Sequence, residues 1–452
     1  MKAVGLDIGT TTISAVVMDP ESGTVLESRT IPNACDLPSA YDWEHKQDAE
    51  RIISKAKAVV DDLLEKHPEA VRIGLTGQMH GMVYINESGK SVSPLYTWQD
   101  QGAVQSLKDL SESGYGSGHL SEERSAAALL RERGLKANAG FGTATHCMHQ
   151  LTGTVPPDAV CFATIPDYLG MALTGRTRPL QHVSMAASMG CFDIRTKQFC
   201  VKELAGFGMD ISMLPEVTDR FVSLCTYRGR SVTVAIGDNQ ASFLGSAELE
   251  SNTVLLNMGT GGQISVLVEE PVEGDNIESR PITHDQYIAV GSSLSGGRAY
   301  AALEKFFRAY LGEAMKREEG SEGKTVGAQY DCMAALLEKE KPFANPLQVV
   351  TAFNGSRFDP DLRGSISNIS EENFTPGNLI YGVLWGICGE LRGMFGEVEE
   401  KTGLKIRRLV GSGNGIRKNK ALQEIAKLQF GVELELSPYE EEAACGAAKV
   451  HE

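Results

Sequence analysis

The stretch that organises this chain, residues 4–19, reads V-G-L-D-I-G-T-T-T-I-S-A-V-V-M-D. Two apolar segments flank a Gly-Thr-Thr-Thr turn, a pattern that predicts two strands joined in a tight hairpin. Asp7 lies at the bend, where its carboxylate would hold a magnesium ion. Gly9 allows backbone N–H groups to turn outward and form an anion-binding nest. Hydroxyl donors for phosphate oxygens are offered by Thr10, Thr11 and Thr12.

By itself, a Gly-Thr turn between strands is equally typical of an ordinary hairpin. This chain, however, repeats the pattern at residues 254–268, which read V-L-L-N-M-G-T-G-G-Q-I-S-V-L-V. Two similar hairpins in two halves predict two related α/β domains that hold a nucleotide in a cleft between them. That arrangement is the one found in the actin-like ATPase fold. When the second stretch is aligned with the first, Asn257 falls on Asp7, Gly259 on Gly9 and Thr260 on Thr10.

Composition indicates an ordinary globular protein with large cores. The chain has 452 residues, of which 42% are hydrophobic and 23% charged, enough for two or three domains. Its net charge of −16 argues against nucleic acid as a partner, because phosphate backbones require basic patches. The negative charge is better explained as a means of staying soluble.

The nine cysteines indicate a reducing compartment. None forms a Cys-x-x-Cys pair, so neither a zinc site nor a disulfide framework is expected. No signal-length apolar segment develops at the N-terminus, and no later stretch approaches the ~20 apolar residues of a membrane span. The sequence therefore predicts a cytoplasmic protein that is neither secreted nor membrane-embedded.

Apolar periodicity predicts a long amphipathic helix at residues 47–66 and a second at 378–401. The chain from 106 to 150 is expected to be helical with glycine interruptions, and residues 165–174 form a short helix. A domain boundary is expected near residues 248–252. The predicted domains are residues 1–247 and residues 248–452.

Two polar clusters follow predicted strands in the first half. A strand at 71–76 ends in Gln78, Met79 and His80 between two glycines, and ligand sites concentrate at such strand ends. In the second cluster, Trp98 offers an apolar face to a sugar ring, and Asp100 can accept bonds from its hydroxyls. The alternatives remain open at this point: a structural histidine, and a partly buried tryptophan beside a helix cap at Asp100.

A β-branched strand at 232–236 stops at Gly237, and Asp238 and Asn239 follow it. An acid placed after a glycine at a strand end can project into a cleft, so Asp238 is the candidate general base for deprotonating a hydroxyl. The alternative is that Asp238 caps the helix that follows.

Glycine-rich turns in the second half suit a nucleotide. Residues 411–415 read G-S-G-N-G between a predicted strand and a helix, where backbone could lie against adenine or ribose. Ile416 replaces the glycine that a dinucleotide fingerprint needs, so Rossmann binding is weakly supported. The candidate nucleotide contacts beyond the first hairpin are Gly259, Thr260, Gly297, Gly411, Ser412, Gly413 and Asn414.

In this order, the motifs resemble the FGGY family of carbohydrate kinases over essentially the whole chain. The resemblance implies two ribonuclease-H-like domains of the actin-like ATPase type with ATP and Mg²⁺ between them, and it implies that Asp238 is the catalytic base. It also implies that residues 1–247 bind the sugar and carry this base, and that residues 248–452 bind the nucleotide. The matching stretches are the Asp7 hairpin and residues 77–81, 98–100, 237–240, 257–263, 353–357, 411–414 and 441–448.

Within that family, Gln78-Met79-His80 followed by Trp98-Gln99-Asp100 resembles the ketose branch, with sedoheptulose as the first expected substrate and D-xylulose as the second. Two features depart from the family pattern. Ser14 stands where members usually carry Lys or Arg, and the Lys-x-x-Trp type of pattern expected near residues 145–148 is absent.

The resulting hypothesis is ATP-dependent phosphorylation of a terminal primary hydroxyl of a ketose. The expected partners are a small sugar and ATP, without nucleic acid or membrane, and a homodimer is compatible with the sequence. Two rival classes remain: an actin-like ATPase that moves protein partners, and a sugar sensor without turnover.

Overall fold

The structure is a computed structural model that describes residues 1–116, 120–247, 249–316, 325–341, 343–355, 359 and 361–451. The chain forms two compact units that do not follow chain order. Unit 1 comprises Met1–Glu248, Arg280–Tyr287 and Glu441–Glu452. Unit 2 comprises Leu249–Ser279 and Ile288–Glu440. The predicted boundary between residues 247 and 248 therefore assigns to the second domain two later segments that belong to unit 1.

The described strands are β1 (Lys2–Ile8), β2 (Thr12–Asp19), β3 (Thr24–Pro32), β4 (Asp36–Leu37), β5 (Lys46–Gln47), β6 (Ala70–Gly77), β7 (Val83–Ile85), β8 (Leu95–Tyr96), β9 (Cys161–Ala163), β10 (Leu180–His182), β11 (Phe192–Asp193), β12 (Gln198–Phe199), β13 (Glu216–Thr218), β14 (Ser223–Tyr227), β15 (Arg230–Thr233), β16 (Ile236–Gly237), β17 (Thr253–Met258), β18 (Gly262–Val268), β19 (Ile277–Pro281), β20 (Tyr287–Ser293), β21 (Gln348–Val350), β22 (Ser365–Ser367), β23 (Arg408–Ser412) and β24 (Leu434–Leu436).

The described α-helices are α1 (Ala49–Lys66), α2 (Leu107–Glu112), α3 (Ala126–Arg131), α4 (Gly142–Thr152), α5 (Ile165–Thr174), α6 (Val183–Ser188), α7 (Val201–Phe207), α8 (Asp238–Ser246), α9 (Gly296–Lys316), α10 (Tyr330–Glu340), α11 (Pro376–Thr402), α12 (Asn414–Lys418), α13 (Lys420–Phe430) and α14 (Glu442–Lys449).

Unit 1 is built on a mixed sheet with the order β14-β15-β6-β1-β2-β3, and β16 also pairs with β6. The predicted hairpin is present as the antiparallel pair β1/β2, in which Asp7 lies opposite Ser14. On its other side β1 runs parallel to β6, which places Asp7 beside Thr76. The carboxyl ends of β1, β6 and β16 therefore meet at one edge of the sheet.

Unit 2 repeats this arrangement, as the two similar hairpins predict. The sheet order is β19-β20-β18-β17-β23-β24. Strands β17 and β18 form the antiparallel hairpin, with Asn257 opposite Gln263, and β17 runs parallel to β23, with Asn257 beside Ser412. Asn257 thus holds the position in unit 2 that Asp7 holds in unit 1.

The long helix α1 covers the unit 1 sheet. Its side chains at helical spacing, including Ile52, Val60 and Leu63, are fully buried, because an apolar stripe of this period forms a single face. The helix begins two residues later than predicted. The side chain of Asp48 caps its first turn by accepting the Arg51 N–H at 3.0 Å, and Gln47 belongs to β5.

The last helix, α14, returns to unit 1 and packs against β1, β6 and α8. Its contacts with the backbone are so close that glycine is required on both sides. A Cβ atom on Gly446 would collide with the carbonyl oxygen of Ala241, and one on Gly5 would collide with that of Ala444. The small-residue character of this segment therefore reflects backbone-to-backbone packing.

The helical prediction at residues 106–150 resolves into α2, α3 and α4, and the helix predicted at 378–401 begins earlier, at Pro376. Residues 356 and 357, part of one family-like stretch, lie outside the described residues. Among the helices that are described, none combines the length and the apolar character needed to cross a bilayer.

Candidate functional site

Three polar residues leave the sheet of unit 1 at the same edge. Asp7 lies near the end of β1, and Gln78 and Asp238 directly follow β6 and β16. The register places Gly237 opposite Gly77, so the residues after these two glycines emerge side by side. The parallel strands thus bring together side chains that are between 71 and 231 residues apart in sequence.

Asp238 is the first residue of α8, and Gly237 occupies the N-cap position without a side-chain capping bond. The alternative reading of Asp238 as a helix cap is therefore not realised. Gly237 is held by its N–H, which donates to the Ser184 hydroxyl at 3.0 Å. The side chain of Met79 packs closely on Gly237, so Met79 supports this turn from the core rather than presenting a polar group.

The environment of Asp238 places its titration near neutral pH. Burial raises the pKa of this carboxyl to about 6, while the positive charge of Arg280 and the Asn239 N–H both lower it. Arg280 is oriented by a 2.7 Å hydrogen bond from its guanidinium to the Asn239 side-chain oxygen. Asp238 can therefore be ionised at neutral pH and still bind a proton, as a general base requires.

Two neighbouring carboxylates affect the titration of Asp7. Burial, followed by the negative charges of Asp238 and Glu441, raises the pKa of Asp7 to about 7. Glu441 comes from the segment that returns to unit 1, and its carboxylate accepts a 2.8 Å hydrogen bond from the Thr30 hydroxyl. A carboxylate whose pKa is raised by two neighbouring negative charges lies at a site that a cation would stabilise.

A continuous chain of hydrogen bonds joins the sugar-site candidates to the phosphate hairpin. The Gln78 amide donates to the Gln47 side-chain oxygen at 3.0 Å, and the Gln47 amide donates to the Thr10 carbonyl at 2.9 Å. The Trp98 indole N–H donates to the Thr10 hydroxyl, also at 2.9 Å. The side-chain oxygen of Gln78 is buried and has no partner among the described residues.

His80 is held in an unusual backbone conformation, with a φ of 75°. Its backbone N–H donates to the Ser188 hydroxyl at 3.2 Å, and its ring Nδ1 lies 2.6 Å from the Ser188 carbonyl oxygen. The ring also stacks on Phe141. Because a carbonyl only accepts, Nδ1 carries the proton in this arrangement.

Trp98 and Asp100 differ in how much of the side chain is exposed to a ligand. Trp98 is 46% exposed, so a large part of its apolar surface is open to a ligand. Asp100 is almost fully buried, and its oxygens accept the N–H groups of Gly102 at 2.9 Å and His45 at 3.1 Å. Asp100 therefore anchors the loop that carries Trp98.

The tip of the first hairpin is accessible. Thr11 and Thr12 are exposed, while Thr10 is partly buried by its bonds to Trp98 and Gln47. Ser14, which lacks the expected positive charge, is buried, and its hydroxyl lies 3.0 Å from that of Thr30. No basic side chain occupies this position of the hairpin.

Unit 2 contains a cavity of about 1010 Å³. Four of the predicted nucleotide contacts line it, namely Gly259, Thr260, Gly297 and Asn414. The N–H groups of Gly297 and Arg298 donate to the carbonyls of Gly259 at 3.2 Å and Thr260 at 2.9 Å, which ties the start of α9 to the hairpin turn. A Cβ atom at 297 would collide with the Gly259 carbonyl, so only glycine allows this approach.

The other predicted nucleotide contacts, Gly411, Ser412 and Gly413, are not among the residues that line the cavity. Gly411 and Ser412 lie buried inside β23 and are not among the lining residues. Gly413 follows with a φ of 84°, and a Cβ there would meet the Met258 carbonyl oxygen. Its conformational freedom lets the chain turn from β23 toward Asn414.

Sequence reasoning missed four residues of this site: Gln47, Phe141, Ser188 and Arg280. Each contacts a predicted residue that is at least 31 positions away. No spacing or local pattern marks them, because they are brought to the site by the sheet and by loops packed on it. Gln47 in particular falls inside the helix that apolar periodicity predicts at residues 47–66.

The comparison with known proteins agrees with this architecture. Residues 2–132 match the N-terminal domain, and residues 254–451 the C-terminal domain, of the FGGY family of carbohydrate kinases. The xylulose kinase structure from Rhodospirillum rubrum superimposes with a TM-score of 0.80 at 20% identity, covering 100% of this chain and 89% of that one. The predicted actin-like ATPase fold is thereby confirmed.

Curated relatives match over nearly the full length. Sedoheptulokinase from Homo sapiens is 24% identical, with 99% of this chain and 96% of the relative covered. Xylulose kinase from Lactococcus lactis subsp. lactis (strain IL1403) is also 24% identical, with 99% and 86% covered. Both family domains are present in order and span well over half of the chain. The chain belongs to the FGGY family of carbohydrate kinases.

Proposed function

We propose that this ATP-dependent carbohydrate kinase phosphorylates a terminal primary hydroxyl of a ketose, with sedoheptulose as the first candidate and D-xylulose as the second. The observation that carries the proposal is the edge of the unit 1 sheet where Gln78 emerges beside Asp238. A sugar-binding amide and a titratable carboxylate are adjacent there. The near full-length similarity to human sedoheptulokinase supports the choice of substrate.

For sugar binding, we assign the apolar contact to Trp98 and the hydroxyl contacts to Gln78, His80 and Asn239. The buried Gln78 side-chain oxygen supports this, since an unpaired acceptor is stabilised by a hydroxyl donor. Trp98 has exposed apolar surface on which the C–H face of a sugar could lie. Asp100 acts indirectly, by holding the Trp98 loop.

For proton transfer, Asp238 would accept the hydroxyl proton as the sugar oxygen attacks the γ-phosphorus and the bond between that phosphorus and the leaving ADP breaks. A pKa of about 6 leaves the carboxylate mostly ionised at neutral pH yet still basic enough to bind a proton. Arg280, oriented by Asn239, favours the ionised form. Positioning and charge stabilisation supply most of the catalysis in phosphoryl transfer, so one well-placed base is sufficient.

The residues around Asp7 fit a bound Mg²⁺. Among the described ranges, no group of three or more His, Cys, Asp or Glu side chains is arranged to hold a metal alone. Mg²⁺ usually takes one or two carboxylates together with waters and substrate phosphates. Asp7, whose ionised form is disfavoured by the nearby negative charges of Asp238 and Glu441, suits that role. We assign Asp7 as the ligand, and the ion would neutralise charge on the phosphates when bound.

For nucleotide binding, we place the adenosine and phosphates of ATP in the unit 2 cavity, with Gly259, Thr260, Gly297 and Asn414 along its wall. Thr10, Thr11 and Thr12 offer hydroxyls to the transferred phosphate. Arg298 lines the cavity and is exposed, and its side chain has no hydrogen bond or ion pair within the described ranges. We assign to it a cationic phosphate contact within this cavity.

The test is ADP release with ATP and Mg²⁺ across sedoheptulose, D-xylulose, D-ribulose, fructose, erythritol, glycerol and gluconate. We compare the wild type with Asp238→Asn and with Asp158→Asn, an identical change at an exposed carboxylate of unit 1. We expect turnover on one ketose that falls by about 10²-fold or more in Asp238→Asn only.

Turnover confined to a polyol such as glycerol would replace the ketose assignment. Equal activity of wild type and Asp238→Asn on the preferred sugar would show that Asp238 is not the base. ADP release that does not depend on any sugar would favour an ATPase, and sugar binding without turnover would favour a sensor.

A further inference from the structure

The unit 2 cavity contains an aromatic pair that the roles assigned so far leave unused. Tyr300 lies on the first turns of α9 and Tyr330 begins α10, and both line the cavity. Their ring centroids are 5.6 Å apart and their planes differ by 29°, so the rings are stacked. Tyr330 remains 41% exposed despite this stacking.

The pair is supported from behind by polar contacts. The Tyr300 hydroxyl is hydrogen-bonded to the Asn419 side chain. One turn further along α9, the buried Glu304 carboxylate accepts the Gln329 N–H at 3.0 Å and contacts the Arg308 guanidinium at 3.2 Å. Gln329 directly precedes Tyr330. The position of Tyr330 is therefore fixed by a buried carboxylate, as in a preorganised binding site.

The rest of the cavity wall is chemically mixed. Apolar side chains and the carboxylates of Asp331 and Glu338 line it together with the tyrosines, and Gly259 and Gly297 line it where the hairpin turn meets the start of α9. Three cations, Arg298, Lys418 and Lys420, also line the cavity, and none of them has a side-chain hydrogen bond or ion pair within the part of the chain that is described. The apolar lining residues are Ala301, Ala334, Leu337 and Ala421.

We propose that Tyr330 is the residue that recognises the nucleobase, stacking on it and giving the site a preference for purine over pyrimidine nucleotides. This inference rests on the proposed function, which places ATP in the same cavity. An exposed aromatic ring in a cavity that apolar side chains and three cations also line fits a ligand with an aromatic ring and an anionic tail. A purine presents a larger π surface than a pyrimidine, so it gains more from the same aromatic face.

The two tyrosines have different parts in this recognition. Tyr300 has its hydroxyl engaged with Asn419 and acts as the support on which Tyr330 rests. The Tyr330 hydroxyl has no hydrogen-bond partner among the described residues, so the ring face, and not the hydroxyl, is the feature that a ligand would use. Removing the hydroxyl alone should therefore leave nucleotide binding intact.

The test measures binding of ADP, GDP, UDP and CDP by isothermal titration calorimetry without sugar, so that no catalytic step is involved. The variants are Tyr330→Ala, Tyr330→Phe and the matched control Tyr310→Ala. Tyr310 lies on α9, is 72% exposed and does not line the cavity. Thermal unfolding of each variant verifies that it is folded.

We expect Tyr330→Ala to weaken ADP and GDP binding by about 10-fold, with a smaller loss for UDP and CDP, so that the purine preference shrinks. Tyr330→Phe and Tyr310→Ala should bind within about twofold of the wild type. Because the phenylalanine variant keeps the ring and removes the hydroxyl, it separates the contribution of the ring from that of the hydroxyl.

Two results would overturn the inference while leaving the proposed function in place. The first is wild-type affinity for ADP in Tyr330→Ala. The second is an equal loss in Tyr330→Phe and Tyr330→Ala, which would assign recognition to the hydroxyl. If the wild type binds none of the four nucleotides, the nucleotide site of the proposed function fails together with this inference.

Discussion

The imidazole of His80 lies parallel to the phenyl ring of Phe141, with centroids 4.9 Å apart and planes that differ by only 3°. The same imidazole is 2.6 Å from the Ser188 carbonyl through Nδ1. Stacking fixes the plane of the ring and the hydrogen bond fixes its rotation within that plane. A residue with positive φ is thus held in one orientation by two contacts from distant parts of the chain.

We predict that Phe141→Ala raises KM for the sugar about 5- to 10-fold with a smaller change in kcat. Loss of the stack leaves the His80 ring free to rotate, and an aromatic pair of this kind contributes about 0.5–1.5 kcal/mol. The measurement is steady-state kinetics on the preferred ketose. Phe306→Ala, at an exposed phenylalanine of α9, is the control. An unchanged KM in Phe141→Ala would show that His80 does not need this support.

The second prediction concerns pH. Asp238 must be ionised to accept a proton, so kcat should rise with pH and level off above the pKa of about 6. The positive charge of Arg280 lowers that pKa, and Arg280→Gln should therefore shift the rising limb to higher pH. Rates are measured at saturating Mg²⁺ and ATP from pH 5 to 8.5, with Arg220→Gln at an exposed arginine as control. If the rising limb of the pH profile of kcat stays at the same pH in Arg280→Gln, the assignment of Asp238 as the general base is contradicted.

The third prediction concerns stability and follows from the raised pKa of Asp7. Between the ordinary value of 3.8 and about 7, the folded protein binds more protons here than the unfolded chain does. Its stability therefore falls as pH rises through that interval, by roughly 1.4 kcal/mol per unit of pKa difference at most. Asp7→Asn removes this penalty, so it should be more stable than wild type at pH 8 although inactive.

Thermal unfolding in EDTA, without nucleotide, tests this expectation at pH 8 and pH 4.5. The advantage of Asp7→Asn should be largest at pH 8 and should shrink toward pH 4.5, where the wild-type carboxyl is protonated in the folded state. Asp158→Asn, at an exposed carboxylate, should behave like wild type at both values. An Asp7→Asn variant that is less stable at pH 8 would refute the raised pKa.

The fourth prediction concerns α14. Gly446→Ala should destabilise unit 1 by about 1–3 kcal/mol, because a Cβ there would collide with the Ala241 carbonyl and backbone cannot move aside cheaply. Gly312→Ala in α9 meets nothing within 4 Å and should be neutral or slightly stabilising, since alanine favours helix. Thermal unfolding of both variants decides the matter. Equal stability of the two would mean that α14 packs less closely than described.

Much of the fold was predictable from local pattern. The two hairpins, the stripe of α1 and the limits of α5 follow from side-chain periodicity and turn residues, which act over a few neighbouring positions. The repeat of the hairpin pattern at residues 254–268 predicted two related domains. The placement of Asp7 near the end of a strand and of Gln78 and Asp238 after strands also followed, since parallel strands end at one edge.

The remaining features depend on contacts between residues far apart in sequence, and no periodicity encodes those. Tertiary packing joined Gln47 to Gln78, aligned Arg280 with Asn239 and returned Glu441 to the neighbourhood of Asp7. It also directed the Asp100 carboxylate to the backbone N–H of Gly102 and stacked Tyr300 on Tyr330. Patterns of near neighbours specify which strands and helices form, whereas the partner and the pKa of a polar side chain depend on which elements pack around it.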